Sequence, residues 1–537
     1  MHQEDYMFKK KLCKTAIITS ILFLQLCPLS AKAESERKTV TILSLDGMRN
    51  DLTSQYSQEG KLPHISRVME EGITAEYAQS IAPSLTAPSH AAISTGAHPA
   101  KTGIVSNEMH KPGKNIDNTD DAFHTELEVN PLWKEAREQG KKTATVAFAG
   151  ANPKIGKQGD YSIYYGKTLE DASLEELSFT PAKGWKQDVL PASYSPHLEA
   201  AVELKLKGRG NQTLYIAAID STDDGRKNYD FFVAATNKNS GGNVYSKHDW
   251  IPVELSASEN ETAGFWLKFK NTSGNLERAE LFRTSVTTAV IDGPEGFADR
   301  IKGQFGFFPV QDEQKAFDNG EISRKEYEEI IVRFNEWVSD VSLDIKENEK
   351  PDLLMYYLPH ADHEQHEYLL TDPRQEGYSE EKAEKYSKYV EWAYKEADRA
   401  VGRAVSALGE QDTLLLVSDH GMEPVHTEIH PNFILKKAGL LVTDEKGNIK
   451  DDETRAYAVG SGSAAHIYLN QKKGASGALT KEEYAEVRKE IEEAFHSVRI
   501  TAPKRFAVVK EKGKDFRRSL KQEGLLAKKT FHMQRKQ

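Results

Sequence analysis

Three short apolar runs, Lys38 to Leu45, Pro351 to Leu358 and Thr413 to Val417, each stop at residues that bind metals or carry charge. Runs of this length, rich in Val, Ile and Leu, match strands buried on both faces of a parallel sheet. In open sheets of that kind, ligands bind beyond the carboxyl ends of the strands. The run endings therefore constrain both the fold and the place of any site. The first run ends in Asp46-Gly47-Met48-Arg49, the second delivers Asp362 and His366, and the third ends in Ser418-Asp419-His420-Gly421-Met422. His466 opens a further short strand, His466 to Leu469, after the Gly/Ser-rich stretch Gly460 to Ser463. Singly these residues have ordinary readings, because an Asp after a strand forms turns and a lone strand histidine sits in a core. Their common placement after successive strands points to a site.

Segments with helical spacing lie between the runs: Leu62 to Gly72, Pro131 to Gly140, Glu381 to Leu408, Pro431 to Ala438 and Lys481 to Phe495. Thr143 to Phe148 reads as one more buried strand. The fold class is α/β, with a doubly wound, mostly parallel central sheet flanked by helices. From about 151 to 350 the texture changes to alternating, aromatic-rich runs, Thr213 to Ile219, Tyr229 to Ala234, Gly264 to Lys270 and Leu281 to Ile291, separated by Asn/Gly/Ser turns. This reads as an inserted β-rich subdomain, with Glu321 to Val341 as a helix leading back. It either roofs a site or decorates the fold passively. The core then comprises 34–150 and 351–500.

The ends of the chain read as targeting signal and tail. Lys9, Lys10, Lys11 and Lys14 precede an apolar run, Thr15 to Leu29, and Ala31-Lys32-Ala33 offers a small-x-small cleavage site. Residues 1–33 are thus expected to be a signal peptide, with Met7 as an alternative initiator. The run falls short of the ~20 apolar residues a membrane span needs, so none is expected in the mature chain. Both cysteines, Cys13 and Cys27, fall inside it, so an exported chain would rely on its core and on metals rather than on disulfides. The net charge of −11 argues against nucleic acid as a general partner and suits cation binding. Residues 501–537 form a basic tail, read either as a contact for an anionic cell-wall polymer or as a solvated end.

Ser84 to His90, Ser-Leu-Thr-Ala-Pro-Ser-His, is the expected place of reaction, with Thr86 as the attacking residue. An extended, alternating segment, Ile73 to Ile81, precedes it, and a small-residue run able to wind into a helix follows. Pro88 suits the first turn of that helix, which puts Thr86 at an N-terminus where free N–H groups and the dipole favour an anion. The alternative is a threonine that only caps the helix. Asn107 can give an amide N–H to a phosphoryl oxygen, as can the backbone N–H of Ala87; an exposed turn is the other reading of Asn107.

Mixed carboxylate and imidazole ligands suit zinc, with manganese or iron as alternatives. Six ligands exceed what one open catalytic zinc uses, so two divalent cations are the economical reading. A pair about 4 Å apart would stabilise the attacking and leaving oxygens of an in-line displacement at phosphorus. It would also activate the Thr86 hydroxyl, itself a metal ligand in that arrangement.

At these residues the chain resembles the alkaline phosphatase superfamily, and within it the type I phosphodiesterase and nucleotide pyrophosphatase branch. The resemblance rests on Leu45 to Arg49, Thr86 to His90 with Ser94-Thr95-Gly96, Gly103-Ile104 with Asn107, Asp362 with His366, Ser418 to Met422, and His466. It covers about Thr39 to Phe148 and Pro351 to Asn470. It implies one zinc on Asp362, His366 and His466, a second on Asp46, Asp419 and His420, a Thr86 that becomes covalently modified, and Asn107 as a phosphoryl-binding amide. The chain departs from the branch where Thr-Phe-Pro-Asn-His becomes Thr86-Ala87-Pro88-Ser89-His90 and where Pro-Asp-x-x-Gly-His becomes Ala361 to His366. No Lys-x-Arg clamp for a monoester is evident between Gly150 and Leu190.

The sequence thus predicts a secreted or cell-wall-associated two-metal hydrolase acting on a small phosphodiester or nucleotide through Thr86. A phosphomonoesterase and a phosphonoacetate-type hydrolase are the alternatives on the same scaffold. A glycan- or wall-polymer-binding protein with an idle metal core is the alternative outside catalysis.

Overall fold

The computed structural model describes residues 38–111, 113–471, 478–480 and 482–498. The expected signal peptide and basic tail lie outside them. The central sheet uses ten strands: β1 (Val40–Leu45), β2 (Thr143–Val146), β3 (Tyr161–Glu170), β4 (Ser173–Glu176), β5 (Ile251–Glu254), β6 (Glu261–Phe269), β7 (Glu280–Arg283), β8 (Val286–Asp292), β9 (Leu353–Leu358) and β10 (Thr413–Val417). Their order is β10-β1-β9-β2-β3-β8-β6-β7-β4, with β5 beside β6. Pairings from β10 to β3 are parallel, and those beyond β3 are antiparallel.

Four helices matter to the site: α1 (Thr86–Thr95), α2 (Arg324–Glu349), α3 (His360–Tyr368) and α4 (Glu380–Ser406). α2 begins in a capping box, in which Ser323 and Glu326 satisfy each other's backbone N–H. Alternate residues of the parallel strands bury on opposite faces. Leu43, Leu45, Leu354, Tyr356 and Leu358 pack with α2 and α4 side chains such as Val338 and Val401. Ile42, Leu353, Met355 and Tyr357 pack with Trp133 and Phe148 on the other face. This two-sided cover is why the strands read as continuous apolar runs.

Register decides where the chemistry emerges. Leu45 lies opposite Leu358 and Ser44 opposite Val417, so the ends of β1, β9 and β10 are level. Asp46, α3 and Ser418-Asp419-His420 therefore leave the sheet along one edge.

The β-rich residues 151–350 do two things. Some extend the central sheet as the antiparallel strands β4 to β8; others form a five-stranded sheet running from Val244–Ser246 through Tyr229–Ala235, Gly210–Asp220 and Leu198–Leu206 to Thr180–Pro181. The two layers share a core containing Val202, Leu214, Phe232, Phe265 and Leu281. The expected single run Leu281 to Ile291 is broken between β7 and β8, where Ser285 turns to donate its N–H to the buried Glu313. Segment 73–81, expected to be extended, forms no strand: Ile73 is fully exposed, and its alternation reflects a segment without a pairing partner. Among the described residues no helix is long and apolar enough to cross a membrane.

Candidate active site

The turn after β1 laces the three strand ends together. Gly47 takes a positive φ of 60°, and a Cβ there would stand 2.7 Å from Oδ1 of Asp362, so only glycine lets the α3 carboxylate approach. The Gly47 N–H donates to Oδ1 of Asp419 at 3.1 Å, and its carbonyl accepts from Gln365 at 2.8 Å. The Met48 N–H donates to Ser418 Oγ at 2.9 Å. Asp46, 1 % exposed, accepts on Oδ2 from the Tyr357 hydroxyl. His420 Nε2 lies 3.4 Å from Asp46 Oδ1 and 3.3 Å from Asp419 Oδ2. One ligand atom each from Asp46, Asp419 and His420 gather within 4.8 Å of one another.

Thr86 is the first residue of α1, after an extended Leu85. Its Oγ1 is 3.2 Å from His420 Nε2, which joins the expected nucleophile to that cluster. The Ala87 N–H, expected to face a phosphoryl group, instead donates to Asn107 Oδ1 at 2.9 Å. That bond fixes the Asn107 amide and leaves its NH2 side for another acceptor. Pro88 has no N–H, and the Ser89 N–H returns to Leu85 O. His90, one turn on, was not singled out as a functional residue from the sequence. Its Nδ1 lies 2.9 Å from Thr86 O and 3.4 Å from Asp419 Oδ2, and its Nε2 lies 2.9 Å from Ser44 Oγ. Because the Thr86 carbonyl only accepts, the proton sits on Nδ1 and Ser44 donates to Nε2. The i to i+4 spacing of Thr86 and His90 was the signal available for it.

Asp362 and His366 sit one turn apart on α3, with Nε2 3.1 Å from Oδ2. His466 lies on β12 (Ala464–Leu469), opposite Val459 of β11 (Ala456–Ser461). Among the described residues, ligand atoms of Asp362, His366 and His466 do not gather within 4.8 Å as the other three do. A second cluster does: Asp312, His360 and His363. It is already satisfied, with His363 Nδ1 2.7 Å from Asp312 Oδ2, His360 Nδ1 2.8 Å from Asn335 and His360 Nε2 2.9 Å from Gln311 O. No sequence pattern ties Asp312 to α3; only the fold does.

Burial raises Asp46 well above the usual carboxylate range, reinforced by the Asp419 and Asp362 carboxylates. Asp419 is raised for the same first reason. Burial acts against the charge on Asp362 too, but His366 and His420 bring it below its ordinary value. Burial opposes the His420 charge, yet Asp419, Asp46 and Asp362 lift it to about 9. His90, buried with weaker compensation, is lowered and stays neutral. Asp46 and Asp419, packed this closely with an ionised Asp362, hold protons unless cations balance them.

The donor set fits divalent metals. Asp46 Oδ1, Asp419 Oδ2, Asp362 Oδ1 and His466 Nδ1 are all buried without a hydrogen-bond partner. In Asp46 and Asp419 the protein holds the other oxygen, so one bare oxygen of each faces the cluster. Orphaned acceptors this deep are costly unless an ion takes them. Thr86, Asn107, Asp362, His366, Asp419 and His420 line an open cavity of about 3020 Å³.

Comparison with known proteins matches residues 40–525 to the type I phosphodiesterase / nucleotide pyrophosphatase family. Human ectonucleotide pyrophosphatase/phosphodiesterase family member 1 is 30% identical over 178 residues, 32% of this chain and 18% of the relative. Venom phosphodiesterase CdcPDE of Crotalus durissus collilineatus is 26% identical over 163 residues, 30% of this chain and 19% of that protein. These matches span less than a fifth of the relatives' length. Among solved structures, phosphonoacetate hydrolase from Sinorhizobium meliloti 1021 with phosphonoformate is 16% identical with a TM-score of 0.40, covering 84% of this chain and 73% of the other. Murine ectonucleotide pyrophosphatase/phosphodiesterase 5 with AMP is 12% identical with a TM-score of 0.38, covering 84% and 69%. The family match takes in the central sheet, α1, α3 and every residue that lines up on the β1, β9 and β10 edge, and the chain belongs to the type I phosphodiesterase/nucleotide pyrophosphatase family.

Proposed function

We propose that the protein hydrolyses a small phosphodiester or phosphoanhydride, such as a nucleotide derivative, through a covalent Thr86 intermediate. The observation that carries the reading is Thr86 Oγ1 at a helix N-terminus, 3.2 Å from His420, beside carboxylates with bare oxygens. Divalent cations on Asp46, Asp419 and His420, and on Asp362, His366 and His466, would favour the Thr86 alkoxide and neutralise charge on the transferring group. Zinc suits these ligands best, with manganese or iron as alternatives.

The Thr86 oxygen forms its bond to phosphorus as the P–O bond to the leaving group breaks; the hydroxyl proton passes to solvent, and the leaving oxygen takes a proton from solvent and departs as an alcohol, or as a phosphate where the bond is an anhydride. Water then attacks the Thr86 phosphoester, releases the phosphomonoester and restores the hydroxyl. Asn107, its amide fixed by the Ala87 N–H, donates to a phosphoryl oxygen through both steps. Cavity charge supports a diester monoanion over a monoester dianion: acids including Asp312, Asp318, Glu367, Glu376, Glu423 and Glu428 line it against Arg49, Lys315 and Lys382. The leader-like residues 1–33 support export from the cell, and the basic 501–537 supports contact with an anionic wall polymer.

The test compares zinc-loaded wild type and Thr86→Ala on bis-p-nitrophenyl phosphate and p-nitrophenyl phosphate, with and without chelator. The diester should be preferred, and both the substitution and the chelator should cut its turnover by about a thousandfold or more. A faster monoester would move the assignment to a phosphatase. An active Thr86→Ala would remove the covalent step.

A further inference from the structure

Helix α3 carries Asp362 and His366, yet much of what holds it comes from the β-rich residues outside the core. Three side chains of α3 are gripped by one short strap, residues 311–314. His363 Nδ1 lies 2.7 Å from Asp312 Oδ2, His360 Nε2 lies 2.9 Å from the Gln311 carbonyl, and Gln314 Nε2 donates to the Tyr368 hydroxyl at 2.9 Å. On a helical wheel of 3.6 residues per turn, His360 and Tyr368 fall on the flank opposite Asp362 and His366, with His363 between them. The strap thus grips the helix from behind, along its whole length. From the other side Gln365 ties it to the Gly47 carbonyl at 2.8 Å.

The two groups of ligands are therefore supported differently. Asp46, Asp419 and His420 sit on turns leaving β1 and β10 and are laced by Gly47, Met48 and Tyr357, all core residues. Asp362 and His366 sit on a helix of nine residues held from behind by the strap and by α2, where Asn335 lies 2.8 Å from His360 Nδ1 and Arg324 pairs with Glu364 at 2.9 Å. Asp362 Oδ1 is buried and unpartnered, so small rotations of α3 move a bare ligand atom directly.

We infer that the 311–314 strap is a positioning element for one metal site: Asp312, through His363, sets the rotation of α3 and so the affinity of the Asp362/His366 site, while leaving the Asp46/Asp419/His420 site unaffected. This rests on the two-metal reading. The β-rich insertion is then a working part of the active centre. Partners that hold a metal's own ligands in place are typically worth about 10–100-fold in affinity.

The experiment titrates metal-free full-length protein with Zn2+ against a chromophoric chelator, for wild type, Asp312→Ala and Asp312→Asn. Wild type should bind two equivalents. In Asp312→Ala the tighter or weaker of the two, whichever His366→Ala abolishes, should lose about 10–100-fold, with the other site within twofold of wild type. Asp312→Asn keeps an acceptor for the His363 N–H and should recover part of the loss, which a defect in bulk packing would not. Two unchanged affinities in Asp312→Ala would overturn the inference, as would equal weakening of both sites. Should Asp312→Ala fail to fold, Asp312→Ser, whose shorter side chain gives up the His363 contact, takes its place: a selective loss supports the strap and two wild-type affinities sink it. A wild type that binds fewer than two equivalents would instead defeat the two-metal reading itself.

Discussion

One oxygen of each buried carboxylate on the β1 and β10 ends is held by the protein, and the other is bare. Tyr357 holds Asp46 and the Gly47 N–H holds Asp419. A group held this way cannot turn its second oxygen to solvent, so it waits for a cation or a proton. Within the 311–314 strap, Glu313 shows the same physics outside the expected metal ligands. Burial lifts it to about 7 from an ordinary 4.5, although Ser285 donates to both of its oxygens. A raised carboxyl means that the folded chain holds the proton more tightly than the unfolded chain. Its contribution is complete below pH 4.5 and is lost as pH rises towards 7. Urea midpoints of wild type should therefore fall across that window, and Glu313→Gln should flatten the decline; parallel curves would show that Glu313 is already ionised in the fold.

At the scale of elements, the site is made by register. Level ends of β1, β9 and β10 bring residues more than three hundred positions apart into contact. The buried runs were readable because strands covered on both sides must be apolar throughout, and turns at their ends are free to carry charge. Segment 73–81 misled because alternation alone does not supply a partner strand. The junction between parallel and antiparallel halves was not readable either, since it depends on one close approach. At Gly166 of β3 a Cβ would stand 2.1 Å from Thr288 Oγ1 and 2.6 Å from its carbonyl oxygen, where the β3–β8 register shifts. Gly166→Ala should lower stability by about 1–3 kcal/mol, measured by denaturant unfolding. A neutral result would mean that the two halves are joined loosely there.

For the whole molecule, cations and fold support each other. Asp46, Asp419 and Asp362 are all 5 % exposed or less, and stripping metal favours protons on Asp46 and Asp419 beside the ionised Asp362 in a dry cluster. A site held at a hundred times its Kd contributes about 2.7 kcal/mol to the folded state. The melting temperature of full-length protein should fall on chelation and return with Zn2+; the same temperature in both states would show that the cluster is satisfied without ions.

The chain's own pattern determined the layer architecture, the strand ends at Leu45, Leu358 and Val417 that Asp46, α3 and Asp419 follow, and the helix start at Thr86, because each is local and signalled by period, breaker or cap. Only the tertiary structure decided the rest. It turned the Ala87 N–H to Asn107, set His90 and Tyr357 beneath the carboxylates, and brought Asp312 to α3. Those contacts join residues far apart in the chain whose types look ordinary where they stand, and a one-dimensional pattern records what a residue is but not what packs against it.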